Sequence, residues 1–446
     1  MKNSLQSSNF VKHFTVSFIL KILGLFISYV FFIFLTKRFG SGTVGIFSMS
    51  FSFLNLLFIV SSFSFDAILT KIFSENYYLK NNEIFYNLKK LYIKSLIFIS
   101  VISIPLIISL YFLLPDLLKI FNKDYLYRYF CITLVVLIPY SIYMMNTSVL
   151  RGMGKVNQHM FLKHIALYLL TLILIFIFLK LKLFVFEDKS EFVLYMFSIS
   201  VIVLFILSFY FFKDIFFVKQ KDISSSVFKF PYSFKYVLRS SVNIFISSVT
   251  IAFIELFTIF TLGFIHSEVD VGVYSIMLKF ALFISLPIIL TNTIIPQEIG
   301  KYWRERDLSK LRESIIHASK ISIITSFIIL LILFLLSVPL LSHFGEEFLD
   351  NKTAFYVLIL GQFFNVFLGN VGFVLIMIDE HNYHRNVFLI SLIVNIFLTI
   401  ILIQKYNVLG AAISYSLTIV LQKYLLLLKV KSKIGIYPFQ WLLKFK

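Results

Sequence analysis

Three charged residues inside long apolar runs are candidates for chemistry. Lys21 lies in a run over 14–35, Glu255 in one over 240–264, and Lys279 in one over 273–296. A Lys at the centre of a lipid-embedded helix costs about 2.5–3.5 kcal/mol on insertion scales, so such groups are functional candidates by default. Two ammonium groups of this kind can hold an anion. A carboxylate so placed can take up a proton or a small cation, or pair with one of the lysines. Lys21 shares one helical face with Ser17, Gly24 and Ser28, and Ser28 adds a hydroxyl to that stripe. Lys279 follows Ser275 by one turn, and Glu255 falls on roughly the face of Ser241, Ser248 and Ala252. Arg151 and Arg239, at the ends of expected spans, can draw an anionic headgroup towards a cavity mouth or simply anchor their helices. The expected binding set is therefore Lys21, Lys279, Ser28, Arg151 and Arg239, with Glu255 as the seat of a coupling proton or cation. The competing reading of both lysines is snorkelling to the nearer interface.

The elements that must position these groups are transmembrane helices. Of 446 residues, 59% are hydrophobic and 14% charged, with a mean hydropathy of +0.92. A soluble domain carries about 45–50% apolar and about 25% charged residues. That excludes a water-soluble enzyme, a disordered chain and a disulfide scaffold; the single cysteine, Cys131, has no internal partner. Taking about 20 apolar residues per crossing, the chain reads as twelve spans. Six fall at 14–35, 46–65, 92–114, 130–149, 160–179 and 192–212. Six more fall at 240–264, 273–296, 320–342, 354–377, 386–403 and 409–428. Continuous runs such as LLTLILIFIFL (169–179) are helical, because barrel strands alternate polar and apolar residues. The first span is too long for a cleavable signal. Most of the 41 Lys and Arg residues lie on the side of the N-terminus, which places both termini in the cytoplasm. The formal charge of +19 is thus mainly a topology signal, and no nucleic-acid partner is expected.

The chain reads as a duplication. TVGIFSM (43–49) matches DVGVYSI (270–276) at a shift of 227, and LLKIFNKDYL (117–126) matches LLSHFGEEFL (340–349) at a shift of 223. Both pairs occupy the same place in each half. Six spans per half is an even number, so both halves enter the membrane in one direction and form parallel repeats around a central cleft. The expected organisation is a six-helix lobe over 1–212, a basic cytoplasmic linker over 213–239, and a second six-helix lobe over 240–446 with a short cytoplasmic tail. Span ten carries Gln362, Asn365, Gly369 and Gly372, read as helix–helix glue before a sugar-binding face. Tyr140, Tyr143 and Asn146 in span four are read as packing before stacking. Pro139, Pro287 and Pro296 are candidate kinks. Asp379, Glu380, His381 and His384 (DEHNYH) imitate a metal site but read as a solvated turn, so no metal is expected. No P-loop or nucleophile constellation is present, which leaves no cofactor and no ATP hydrolysis to expect.

Several segments together resemble the multidrug/oligosaccharidyl-lipid/polysaccharide exporter (MOP) superfamily. They are KRFGSGTVGIFS (37–48), FSFDAILTKIFSE (63–75), LRGMGK (150–155), EVDVGVYSIMLKF (268–280) and NTIIPQEIGKYW (292–303). HFGEEFLDNKTAFYVLILG (343–361) and YNVLGAAISYSL (406–417) continue the order. Within that superfamily the chain looks most like the Wzx-type O-antigen or capsule repeat-unit flippases. The resemblance implies a MATE-like fold of twelve helices in the bacterial inner membrane, in contact with membrane lipids. It also implies a substrate, an undecaprenyl-diphosphate-linked glycan, moved by alternating access, with a proton or cation as a possible coupling partner. MATE-type drug/cation antiporters are the alternative within the transporter class, and would place more acids inside the spans. A membrane glycosyltransferase or O-antigen polymerase is the alternative outside it, and would need a large outer loop.

Overall fold

Backbone amides in hydrocarbon find no water, so each segment of so apolar a chain has to satisfy them internally. The computed structural model describes residues 2–77, 82–181, 188–212, 232–378 and 380–443, and the regular elements among them are helices. The first six spans are built from α1 (Lys2–Phe39), α2 (Ser41–Ser62), α3 (Phe65–Asn76), α4 (Asn82–Ile120), α5 (Leu126–Val135), α6 (Leu137–Gly152), α7 (Val156–Lys180) and α8 (Lys189–Tyr210). The remainder use α9 (Phe234–Ile265), α10 (Glu268–Ala281), α11 (Leu286–Glu305), α12 (Leu308–Leu335), α13 (Ser337–Ser342), α14 (Glu346–Asp350), α15 (Lys352–Phe367), α16 (Val371–Met377) and α17 (His381–Ile434). A last short helix, α18 (Gln440–Leu443), follows. Among the described residues ten segments are long and apolar enough to cross a membrane, and the bent pair α5–α6 is an eleventh. The 54-residue α17 is two helices meeting at Asn407 (φ 50°, ψ −127°), so the expected twelve spans are all present.

Prolines account for three of the interruptions. A proline offers no amide hydrogen to the carbonyl four residues back and clashes with it. Pro139 does this to Val135, and the span bends by 53° between α5 and α6. Pro339 does the same to Leu335, where α12 gives way to α13 at Leu336. Pro287 opens α11 directly after a 3₁₀ turn, Leu282–Ser285, that breaks the eighth span. Polar caps start the helices that emerge from loops. Ser267 accepts from the Asp270 amide at the start of α10, and Asp188 accepts from the Ser190 amide at the start of α8. Asp307 caps α12, and its bonds from the Ser309 hydroxyl and the Lys310 amide hold its carboxyl at about 2.

The described chain divides into two compact units: Met1–Phe39 with Ser50–Val249, and Gly40–Met49 with Thr250–Lys446. The segment 213–231 of the expected linker lies outside the described residues, and α9 is already helical from Phe234. In the first unit the helices are joined by buried polar bonds. Tyr92 donates to Asn146 at 2.5 Å, and Asn146 donates to Ser208 at 2.8 Å. Tyr140 reaches Asn55 at 2.7 Å, and Tyr143 donates to the Leu162 carbonyl. The span-four tyrosines thus hold the bundle, as their spacing suggested.

In the second unit Gln362 accepts from Ser285 at 2.7 Å, and Asn365 donates to Gln362 at 3.2 Å, so the span-ten amides also act as glue. Span ten breaks at Gly369 (φ 85°), and Pro438 from the tail covers that break, where a Cβ would meet it at 2.5 Å. Phe439 stacks on Phe367, Lys320 sits over Trp441, and Arg312 donates to the Ile434 carbonyl at 2.8 Å. The DEHNYH segment departs from the solvated turn expected of it. Glu380 pairs with Lys433 at 2.7 Å and Lys429 at 3.5 Å, which holds its carboxyl below the usual range, while His384 is buried against Phe388. Asp379 lies outside the described residues. Among the described residues no three His, Cys, Asp or Glu side chains stand where a metal would need them.

The duplicated motifs make the tightest contact of the second unit. A Cβ on Gly45 would lie 1.7 Å from the Glu268 carbonyl oxygen, and one on Gly272 would lie 2.3 Å from that of Ser41. The shift of 227 that relates the motifs maps Ser41 onto Glu268 and Gly45 onto Gly272, so the two contacts are reciprocal. Such backbone approach is how transmembrane helices gain packing without a hydrophobic driving force. Gly45→Ala and Gly272→Ala should each destabilise the protein by about 1–3 kcal/mol or more, the usual range for overpacking. Gly42→Ala, whose Cβ would meet only Val269 at 3.8 Å, should be close to neutral. Thermal unfolding of the purified variants reads the contrast.

Candidate functional site

The first unit gathers charge where α1, α3, α6 and α7 pack. Lys21 lies near the start of the apolar stretch Ile19–Phe39, half-buried. One turn on, Gly24 lets α1 press against His164, whose Cβ and carbonyl would be 2.8 Å from an added methyl. His164 and Lys163 sit on a π-helical turn, Phe161–Ala166, inside α7. Turns of this type recur at functional sites because the extra residue re-aims side chains. Asp66 enters from α3, which restarts after two residues in left-handed conformation, Phe63 (φ 49°) and Ser64 (φ 54°). Thr70 holds α3 in place by donating to the Asp66 carbonyl at 2.7 Å and lying 2.8 Å from that of Ser148, and Gly152 packs against the Thr70 carbonyl.

Lys163 is the hub of this cluster. Its charge acts on Lys21, His164, His159 and Asp66, and Arg151 acts on it in turn. Lys163 and Arg151 therefore share the Asp66 carboxylate, while Lys21 faces Lys163. His159 is tied off by a 2.6 Å contact between its Nδ1 and the Thr147 carbonyl. Of the residues singled out in the sequence, Lys21 and Arg151 come together here through Lys163. Ser28 is half-buried two turns along α1, and Arg239 is exposed in the early turns of α9. Asp66 is half-buried in the first turn of α3.

The second unit holds a balanced pair. Glu255 on α9 and Lys279 on α10 lie in each other's field, so Lys279, and not only a distant interface, answers the Glu255 charge. Tyr274 and Tyr415 also feel the carboxylate, and Tyr415 bonds Gln362, which links the pair to the amide cluster of span ten. Ser48, Ser275 and the Tyr274 hydroxyl are buried and unpartnered close to the crossing of the duplicated motifs.

A family model described as polysaccharide biosynthesis protein matches residues 10–297. The chain belongs to that family. No curated protein matches the sequence. Among solved structures, an inward-facing multidrug resistance MATE family transporter of the MOP superfamily is similar with a TM-score of 0.75 at 15% identity, covering 95% of this chain and 98% of that one. The lipid II flippase MurJ, in an inward closed conformation, is similar with a TM-score of 0.67 at 18% identity, covering 94% and 87%. A MOP superfamily transporter from Pyrococcus furiosus gives 0.62 at 16%, covering 95% and 94%. The fold is that of MOP-superfamily transporters, as the ordered motifs implied.

In this member of the polysaccharide biosynthesis family, the first-unit cluster carries more unmatched positive charge than the second-unit pair. Lys21 and Lys163 repel one another, and an incoming anion relieves that repulsion, whereas Glu255 already neutralises Lys279. Sequence reasoning missed Lys163, His164 and Asp66. Lys163 and Asp66 lie at the ends of the expected spans 160–179 and 46–65, where charge is ordinary, and the available signal was Asp66 within FSFDAILTKIFSE. In a double-mutant cycle, Asp66→Asn and Lys163→Met should couple by about 0.5–3 kcal/mol, as expected of residues in one charge network. Additive unfolding shifts would show that Asp66 does not hold Lys163.

Proposed function

We propose that the protein is a flippase for an undecaprenyl-diphosphate-linked oligosaccharide repeat unit, of the Wzx type, in the bacterial inner membrane. A doubly charged diphosphate and a hydrated glycan have to pass a low-dielectric layer, while the lipid tail can stay in the bilayer. The observation that carries the reading is the excess of cations about Lys163, which has Lys21 and Arg151 in its field and one acid, Asp66, shared with Arg151. Charges are expensive in that setting and are kept for a charged partner. Lys21, Lys163 and Arg151 bind the diphosphate, Ser28 adds a hydroxyl, and Lys279 meets the headgroup at another stage of alternating access. Arg239, exposed on the side assigned to the cytoplasm with both termini, draws the anionic lipid in. Glu255 takes up a proton or cation and, in doing so, frees or engages Lys279. The protein is a transporter and carries out no bond chemistry. A drug/cation antiporter is disfavoured because it would call for more acids inside the spans, whereas cations outnumber the acid about Lys163.

The test is export of surface polysaccharide in a strain lacking its own repeat-unit flippase. The Lys21→Ala, Lys163→Ala double variant should lower export about tenfold or more, since a hydrogen bond to a charged group contributes roughly 1.5–3 kcal/mol. Glu255→Gln should leave lipid binding in place and abolish the dependence of export on the ion or proton gradient. Undiminished export by the double variant, at normal membrane abundance, removes the cations from the mechanism.

A further inference from the structure

The bend imposed by Pro139 leaves a wedge on the flank of the first unit. Beside α4, α5 and α8 lies a cavity of about 700 Å³, walled by Tyr111, Tyr127, Arg128, Val135, Glu191 and Ile202 among others. That size falls within the roughly 300–1,000 Å³ of typical ligand sites. The cavity is graded along the helices. Its polar end is made by Arg128 in the first turn of α5 and Glu191 in the first turn of α8. Its apolar end is made by Val135, the last residue before the bend and 75% exposed, and by Ile202, which lies about 16 Å further along α8 than Glu191. Tyr127 donates to the Tyr111 carbonyl at 3.3 Å and fixes the wall between the two ends.

These helices are membrane spans, so hydrocarbon and not water fills the apolar end. The polar end selects the headgroup. Arg128 and Glu191 approach only to 3.9 Å, beyond hydrogen-bond reach, and the Arg128 side chain is 80% exposed. Opposite charges held side by side with space between them complement a zwitterion. We infer that this cavity binds one phospholipid with a primary-ammonium zwitterionic headgroup, its phosphate on Arg128, its ammonium on Glu191, and one acyl chain along α8 towards Val135. The inference stands apart from the identity of the transported substrate, because none of these residues belongs to the cationic cluster.

The experiment is native mass spectrometry of the purified full chain in detergent. Phosphatidylethanolamine, phosphatidylcholine and phosphatidylglycerol with identical acyl chains are offered in equal amounts. The ethanolamine lipid should be retained about tenfold over the other two, which corresponds to roughly 1.4 kcal/mol. Phosphatidylcholine has no N–H to donate and phosphatidylglycerol has no cation. Glu191→Gln should erase the preference over phosphatidylglycerol, and Arg128→Ala should weaken retention of all three. Val135→Trp, at a surface position where a larger side chain is tolerated, should expel the lipid with the charges intact. Equal retention of the three lipids by the unaltered protein, or an unchanged ethanolamine-lipid adduct in both Val135→Trp and Arg128→Ala, overturns the assignment.

Discussion

Lipid tails are as apolar as leucine side chains, so helices in a bilayer are not squeezed together by water and need another reason to stay in register. In the second unit that reason is the paired approach of Gly45 to Glu268 and of Gly272 to Ser41, backbone to backbone. A contact so close fixes the rotation of α10 about its own axis. Lys279 lies two turns beyond Gly272 and therefore on the same stripe of the helix. Where that ammonium points, and how it meets Glu255, follows from a glycine with no chemistry of its own. The buried neighbours Val44, Phe47, Val271 and Tyr274 complete the packing around the crossing.

The two units handle charge in different ways. In the first, Lys163 and Arg151 lean on one carboxylate with Lys21 beside Lys163, and the local excess is positive. In the second, one acid faces one base, and tyrosine hydroxyls and the Gln362–Ser285 bond surround them. An excess waits for a counter-charge from outside, while a matched pair changes its charge state only when a proton or ion enters. The same duplicated scaffold thus carries an excess of positive charge in one half and a facing acid and base in the other.

Much of this was legible in the sequence because its causes are local. Apolar run length set the twelve spans, the shift of 227 exposed the duplication, and Pro139 and Pro287 marked where helices would give way. What escaped has non-local causes. Lys163 reads as an ordinary interfacial charge until the π turn and Gly24 are seen to bring it beside Lys21. Asp66 reads as a loop acid until Phe63 and Ser64 turn α3 inward. Glu380 and His384 read as solvated until Lys429 and Lys433 arrive from about fifty residues downstream. Hydropathy averages over a window and reports depth, but it does not report which way a helix is rotated.

The cover on the tenth span has a consequence for biogenesis. Gly369 leaves the ribosome about seventy residues ahead of Pro438, the residue that closes over it. Throughout that interval the break between α15 and α16 has Asn370, bonded to Thr291 and Asn292, and the nearby Ser319 hydroxyl, but not its proline cover. The second unit therefore gains this cover only after its later segments have been made. A nascent chain stalled before Tyr437 would present an open seam to membrane quality-control proteases.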